Sequence, residues 1–217
     1  MAQTPVYMMP GMAANPKIFE YIKLPETYEI YYLHWIMPLA DENLSRYTTR
    51  LLQQIKHENP ILIGVSFGGI IIQEMAKQIP VRQLVLISTI KHHEEFSPFL
   101  KKSYQYYLYK LFPSKLMQYI DQFEKYSISK NFTRKMRLYK TYMDFNEPQY
   151  LNWAIAQVLQ WKQTQKLSNF VHIVGEKDKV FPEKYIHQPK IVVPKGRHDM
   201  IIFKSGWFNK YLPDLLK

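Results

Sequence analysis

Residues 64–69 read Gly-Val-Ser-Phe-Gly-Gly, and the run leading into them, Ile61 to Val65, is uninterruptedly apolar. A short run without polar alternation suits a strand covered on both faces. After the turn, Ile70 to Ile79 has helical character and stops at Pro80. The chain must therefore reverse sharply from a buried strand into a helix, which few sequences allow. In such a G-x-S-x-G turn the serine takes a strained backbone conformation that lifts its hydroxyl above the sheet edge. Gly64 and Gly68 suit it because β-carbons there would collide as strand and helix close together, and Gly69 extends the turn. A glycine-rich turn with an idle N-cap serine is the alternative.

Around this turn, strand-like and helix-like segments alternate. Pro5 to Met9 is read as a strand, Pro16 to Ile22 as a helical stretch, and Tyr28 to Ile36 as a second strand. Ser45 to His57 carries Leu51, Leu52 and Ile55 at helical spacing, and Gln83 to Ser88 is another buried strand. Beyond residue 166, Phe170 to Val174 and Ile191 to Val193 are strands, and Ile201 to Leu216 is helical. This order predicts an α/β fold: a three-layer αβα sandwich on a mostly parallel, roughly six-stranded sheet.

From Lys91 to Lys166 no strand-like run stands out. Helical spacing marks Phe99 to Phe112, then Leu116 to Phe123, Phe132 to Met143, and a segment with Tyr150, Leu151, Ala154, Ile155 and Val158 on one face. The expected organisation is a core of residues 1–90 and 167–217 interrupted by a helical insertion, 91–166.

Composition narrows the chemistry. The chain has no cysteine, so its reactive groups are hydroxyls, imidazoles and carboxylates; no metal or cofactor is expected. The start lacks a basic segment before Lys17 and is broken by Pro5, Pro10 and Gly11, unlike a signal peptide. No apolar stretch reaches the roughly 18 residues of a membrane span, and a cytoplasmic location is expected. The net charge is +11, but the lysines are scattered and no nucleic-acid motif is present. Nucleic-acid binding is not expected.

A serine hydroxyl needs a base, and imidazole titrates in the right range. Of seven histidines, His198 lies in Lys195-Gly196-Arg197-His198, directly after the last strand, and should hang over the same sheet edge as Ser66. His172 falls within an apolar strand and reads as a core histidine; His92 and His93 open the insertion and read as solvated or at a pocket rim. The imidazole in turn needs a carboxylate to fix its tautomer. Asp178, four residues after the strand ending at Val174, is preferred over Glu176 and over Asp199, which is adjacent to the histidine in sequence. The chain order is Ser, Asp, His.

With these features the whole chain resembles the α/β-hydrolase family. The family's nucleophile turn is matched by Gly64 to Gly69, its G-x-x-D-x-x-x-P acid loop by Gly175 to Pro182, and its G-x-H loop by Gly196 to His198. Its helical cap falls where residues 91–166 lie. The resemblance implies an oxyanion hole made by the backbone N–H groups of Met12 and Phe67. Here Pro10-Gly11 stands where the family has His-Gly, and the chain begins at what resembles the family's third strand.

These features lead to an expected serine hydrolase acting on a carboxylic ester or thioester of a small to medium acyl group. A carbon–carbon bond hydrolase with the same triad and a non-catalytic binding protein of the same fold are the alternatives. The insertion holds thirteen lysines and arginines against six acidic residues, +7 of the +11 total. That charge either attracts an anionic substrate or one carried on an acidic protein, or is simply a solvated surface. The insertion's many tyrosines would line an acyl pocket or pack against the core.

Overall fold

In the computed structural model, residues 3–105, 141–163 and 165–217 are described. Six strands form one all-parallel sheet: β1 (Thr4–Met9), β2 (Tyr28–Tyr32), β3 (Ile61–Val65), β4 (Gln83–Ile87), β5 (Phe170–Gly175) and β6 (Ile191–Val193). Their order is β2-β1-β3-β4-β5-β6. The central strands β3 and β4 are buried at every position, which accounts for the apolar runs Ile61 to Val65 and Leu84 to Ile87.

Side-chain alternation along these strands feeds two cores. Tyr7, Met9, Leu62, Leu84 and Leu86 point to one face. There they meet α1 (Leu44–Leu51) and α2 (Phe67–Met75). Val6, Met8, Ile61, Ile63, Val85 and Ile87 point to the other. That face is covered by α5 (Met200–Phe203), α6 (Ser205–Leu215) and a short 3-10 turn, Pro16–Phe19. A period of two thus makes one sheet the partner of helices on both sides. No helix among the described residues is long and apolar enough to cross a membrane.

Several boundaries differ from the sequence expectation. β2 ends at Tyr32, not Ile36, although Leu33 and Trp35 are buried. Leu33 N–H still donates to the Met8 carbonyl of β1 at 3.0 Å, but beyond it the backbone bonds to side chains. Gln54 accepts from His34 N–H at 2.8 Å and donates to the His34 carbonyl at 2.9 Å, and the Tyr47 hydroxyl does the same for Ile36 at 3.2 and 2.8 Å. Helix α2 begins three residues before Ile70 because Ser66 is its N-cap, and it ends at Met75. The stretch Ser45 to His57 forms α1 and then a 3-10 turn, Leu52–Gln54. The C-terminal helical region breaks at Lys204 into α5 and α6.

Within residues 91–166, α3 (Pro98–Gln105) and α4 (Pro148–Gln160) are described. The helical segments expected at Leu116 to Phe123 and over most of Phe132 to Met143, together with the tyrosines from 104 to 109, lie outside the residues whose side chains are described. Helix α4 starts with Pro148 in its first turn, where the missing N–H costs nothing, and buries Tyr150, Leu151 and Ala154. Lys91, counted above among the insertion's cations, is not a free surface charge. Its ammonium pairs at 2.7 Å with Glu95, whose side chain is fully buried.

Candidate active site

The serine turn is built by close approach of two backbones. A β-carbon on Gly64 would overlap the carbonyl oxygen of Gly68, and one on Gly68 would overlap that of Pro10. Between them Ser66 adopts φ 55° and ψ −121°, a conformation costing an L-residue on the order of 1–3 kcal/mol. Two bonds hold it there: Ser66 N–H donates to the Ile87 carbonyl at the end of β4, and the Ser66 carbonyl accepts from Gly69 N–H, both at 2.9 Å. The conformation presents the hydroxyl at the C-terminal edge of the sheet.

Two further loops leave the same edge. After β5, Asp178 N–H donates to the Gly175 carbonyl at 3.1 Å, closing a turn. The buried Asp178 carboxylate accepts from Val180 and Phe181 N–H at 2.8 and 3.0 Å through Oδ1, leaving Oδ2 directed elsewhere. After β6, Gly196 N–H donates to the Val193 carbonyl at 3.0 Å, and His198 follows just before α5.

The structure brings residues 66, 178 and 198 into one line. The imidazole of His198 lies 2.9 Å from Asp178 Oδ2 through Nδ1 and 2.9 Å from Ser66 Oγ through Nε2. A carboxylate facing Nδ1 requires the proton there, so Nε2 carries the lone pair and the Ser66 hydroxyl donates to it. The His198 side chain is about 29% exposed while that of Asp178 is 1% exposed, so the imidazole faces solvent and the carboxylate does not. The Phe181 ring lies 5.6 Å from the imidazole.

The other candidate acids have different roles. Glu176 Oε2 accepts from Lys195 N–H at 2.6 Å, holding the histidine loop where Lys195 has φ 55°. Asp199 is the N-cap residue of α5. His172 donates through Nε2 to the Thr89 carbonyl at 2.9 Å, and burial pushes its pKa down to about 4, so it stays neutral. Its Nδ1 has no hydrogen-bond partner among the described residues. His92 is partly exposed, and its Nδ1 accepts from Glu94 N–H at 3.3 Å. His93 is displaced toward the neutral form, first by burial and then by the charge of His92. His92, His93 and Glu94 are the one group of ligand-type side chains near enough to share an ion among the described residues, with ligand atoms within 4.8 Å of one another.

Phe67 directly follows Ser66 at the start of α2, and Met12 lies in the turn after β1. Phe67 N–H is the first of α2, without an intrahelical acceptor, at the positive end of the helix dipole. Met12 follows Gly11, whose α-carbon packs against the Ser66 side chain closely enough that an added β-carbon would meet Ser66 Cβ at 3.5 Å. Neither amide has a partner among the described residues. The turn carrying Met12 is braced in a way the sequence did not reveal. Trp35 Nε1–H donates to the Gly11 carbonyl at 2.9 Å, and the Tyr150 hydroxyl accepts from Ala13 N–H at 3.4 Å. A tryptophan at the end of an apolar run carried no signal of this contact.

A group of this kind can transfer an acyl group through its serine. The comparisons agree with the fold that carries it. Among solved structures the chain is similar to a hydrolase from Pseudomonas aeruginosa PA01, with TM-score 0.72 and 14% identity over 99% of this chain and 90% of that one. It is also similar to a bromoperoxidase from Bacillus anthracis (TM-score 0.70, 18% identity, 99% and 92% covered) and a thermophilic esterase from Thermogutta terrifontis (0.64, 14%, 100% and 92%). At such identities the likeness speaks to the fold. No curated protein sequence matches the chain significantly. The model of the alpha/beta hydrolase fold family matches residues 13–206, which span the serine turn and both partner loops, and the chain belongs to that family.

Proposed function

We propose that the protein is a serine hydrolase that cleaves a carboxylic ester or thioester through an acyl-enzyme, with Ser66 as nucleophile, His198 as base and Asp178 as the group orienting that base. The observation that carries this reading is the pair of 2.9 Å contacts that place one imidazole between a hydroxyl and a buried carboxylate.

In this mechanism His198 Nε2 removes the Ser66 proton as Oγ bonds to the substrate carbonyl carbon. The carbonyl π electrons move onto oxygen, and the Met12 and Phe67 N–H groups donate to that oxyanion. Asp178 stays ionised and stabilises the imidazolium. Collapse expels the alcohol or thiol, which takes the proton from Nε2. Water, deprotonated by the same nitrogen, then attacks the acyl-enzyme, and the second collapse releases the acid and restores Ser66. Each oxyanion donor contributes on the order of 10²- to 10³-fold in rate.

The insertion expected at residues 91–166 is assigned the role of a cap in this reading. The test is hydrolysis of p-nitrophenyl esters of graded chain length by wild type and Ser66→Ala, with labelling of Ser66 by a fluorophosphonate probe. Loss of activity and of labelling in the variant is expected. A Ser66→Ala protein that still turns over ester would remove the proposed nucleophile.

A further inference from the structure

The indole of Trp35 touches the peptide group that carries one proposed oxyanion donor and the side chain of the residue that carries the other. Its N–H donates to the carbonyl of Gly11 at 2.9 Å in a buried setting. Its ring stacks on that of Phe67, with centroids 5.3 Å apart and planes 9° from parallel. Gly11 C=O and Met12 N–H belong to one peptide group. That group is planar and trans, so fixing the direction of the carbonyl fixes the N–H pointing the opposite way.

We infer that Trp35 is a positioning residue for the oxyanion site, aiming the Met12 N–H through the Gly11 carbonyl and seating Phe67 by stacking; this inference rests on the serine-hydrolase reading above. Two features make the effect local. The Gly11 carbonyl also accepts from Ala14 N–H at 3.0 Å, so losing the indole donor leaves that oxygen bonded while freeing the peptide plane to rotate. Donation into a carbonyl also polarises its peptide and strengthens the N–H on the other side. The indole bond therefore bears on both the direction and the strength of the Met12 donor. Trp35 itself is held between Phe67 and Tyr150, whose ring centroid lies 5.5 Å away, so its own orientation is set by packing.

Trp35→Phe keeps an aromatic face for Phe67 and deletes the N–H. A second protein carries 3-benzothienylalanine at position 35, in which sulfur replaces the ring N–H at nearly unchanged volume, so folding is retained even if the phenylalanine variant is unstable. For both, kcat on a p-nitrophenyl ester should fall about tenfold to hundredfold with KM within about twofold, less than deletion of a whole donor. Affinity for a trifluoromethyl ketone, whose hemiketal oxygen occupies the oxyanion position, should weaken by the same factor. A purely structural role would lower the thermal midpoint and the active fraction without weakening the ketone on the folded, titrated sites. A benzothienylalanine protein with wild-type kcat and ketone affinity overturns the inference. If wild type itself neither hydrolyses esters nor labels at Ser66, the underlying reading fails instead, and the two failures are distinct.

Discussion

Gly175 and Gly196 meet back to back: a β-carbon on Gly175 would lie 2.6 Å from the carbonyl oxygen of Gly196, and one on Gly196 would lie 3.1 Å from the Gly175 α-carbon. One glycine ends β5 and leads to Asp178; the other leads to His198. Their contact is locked by Lys177 N–H donating to the Gly196 carbonyl at 2.7 Å and Glu176 N–H to the Val193 carbonyl at 3.1 Å. The spacing of the carboxylate and the imidazole is thus set by two residues that carry no side chain.

Gly175→Ala is expected to push the two loops apart, because the nearest atoms are backbone and cannot rotate away. Overpacking of this kind costs about 1–3 kcal/mol in stability. The separation of Asp178 from His198 should lower kcat beyond what the unfolded fraction explains. Thermal midpoints and ester hydrolysis at a temperature where the variant is fully folded check this. A destabilised variant with wild-type kcat would show that the loops adjust independently.

Asp178→Asn tests the tautomer. The asparagine carbonyl can keep the bonds from Val180 and Phe181 N–H, but its amide would face His198 Nδ1 as a donor. The imidazole would then hold its proton on Nε2, where it cannot accept from Ser66. The expected loss in kcat is about 10³- to 10⁴-fold with little change in KM or in thermal midpoint. A loss under tenfold would assign the orienting role elsewhere.

The positions of these residues at one sheet edge were legible because the signals are local. Ile61 to Val65 and Phe170 to Val174 could only be buried strands, and the turns after them follow at once. Gly64 and Gly68 betray a close approach in their residue type alone. The end of β2 was not legible, since Leu33 and Trp35 are as apolar as a strand demands. The backbone leaves the sheet after Leu33 because Gln54 and Tyr47, up to twenty residues away, satisfy His34 and Ile36. The bracing of Gly11 by Trp35 and of Ala13 by Tyr150 is longer in range still, and spacing along the chain does not encode it.

Glu95 supplies a stability test remote from the serine. Its side chain is fully buried and accepts from the Lys91 ammonium at 2.7 Å, Lys91 N–H at 2.8 Å and His187 N–H at 2.8 Å. The Lys91 ammonium also donates to the His187 carbonyl. Glu95→Ala leaves a mostly buried cation without its counter-charge and two amides without their acceptor. A loss of about 3–5 kcal/mol is expected in urea unfolding. Lys91→Met, which removes the cation but keeps its stem volume, restores part of that loss in the double variant if the pair is coupled.

Acid should destabilise the fold through two buried groups, His172 and Glu95. Burial first, against the opposing influence of the Thr89 carbonyl and the Glu95 charge, pushes the pKa of His172 from 6.5 down to about 4. Between those values the unfolded chain binds a proton that the folded chain refuses, so stability rises with pH across this window. The contribution is complete above about pH 6.5 and is lost as pH falls through 4, on the order of 3 kcal/mol in all. Glu95 adds to it with the same sign. Burial alone would raise its pKa, but the Lys91 ammonium and the amides of Lys91 and His187 outweigh this and hold it below 4.5, so its stabilisation fades as pH drops below that value. Urea unfolding from pH 7.5 to 4 should show stability declining with a slope near one proton between 6.5 and 4. His172→Gln keeps a donor for Thr89 and cannot titrate, so the slope in that window should flatten by about one proton. An unchanged slope in that variant would mean that a different group takes up the proton on unfolding.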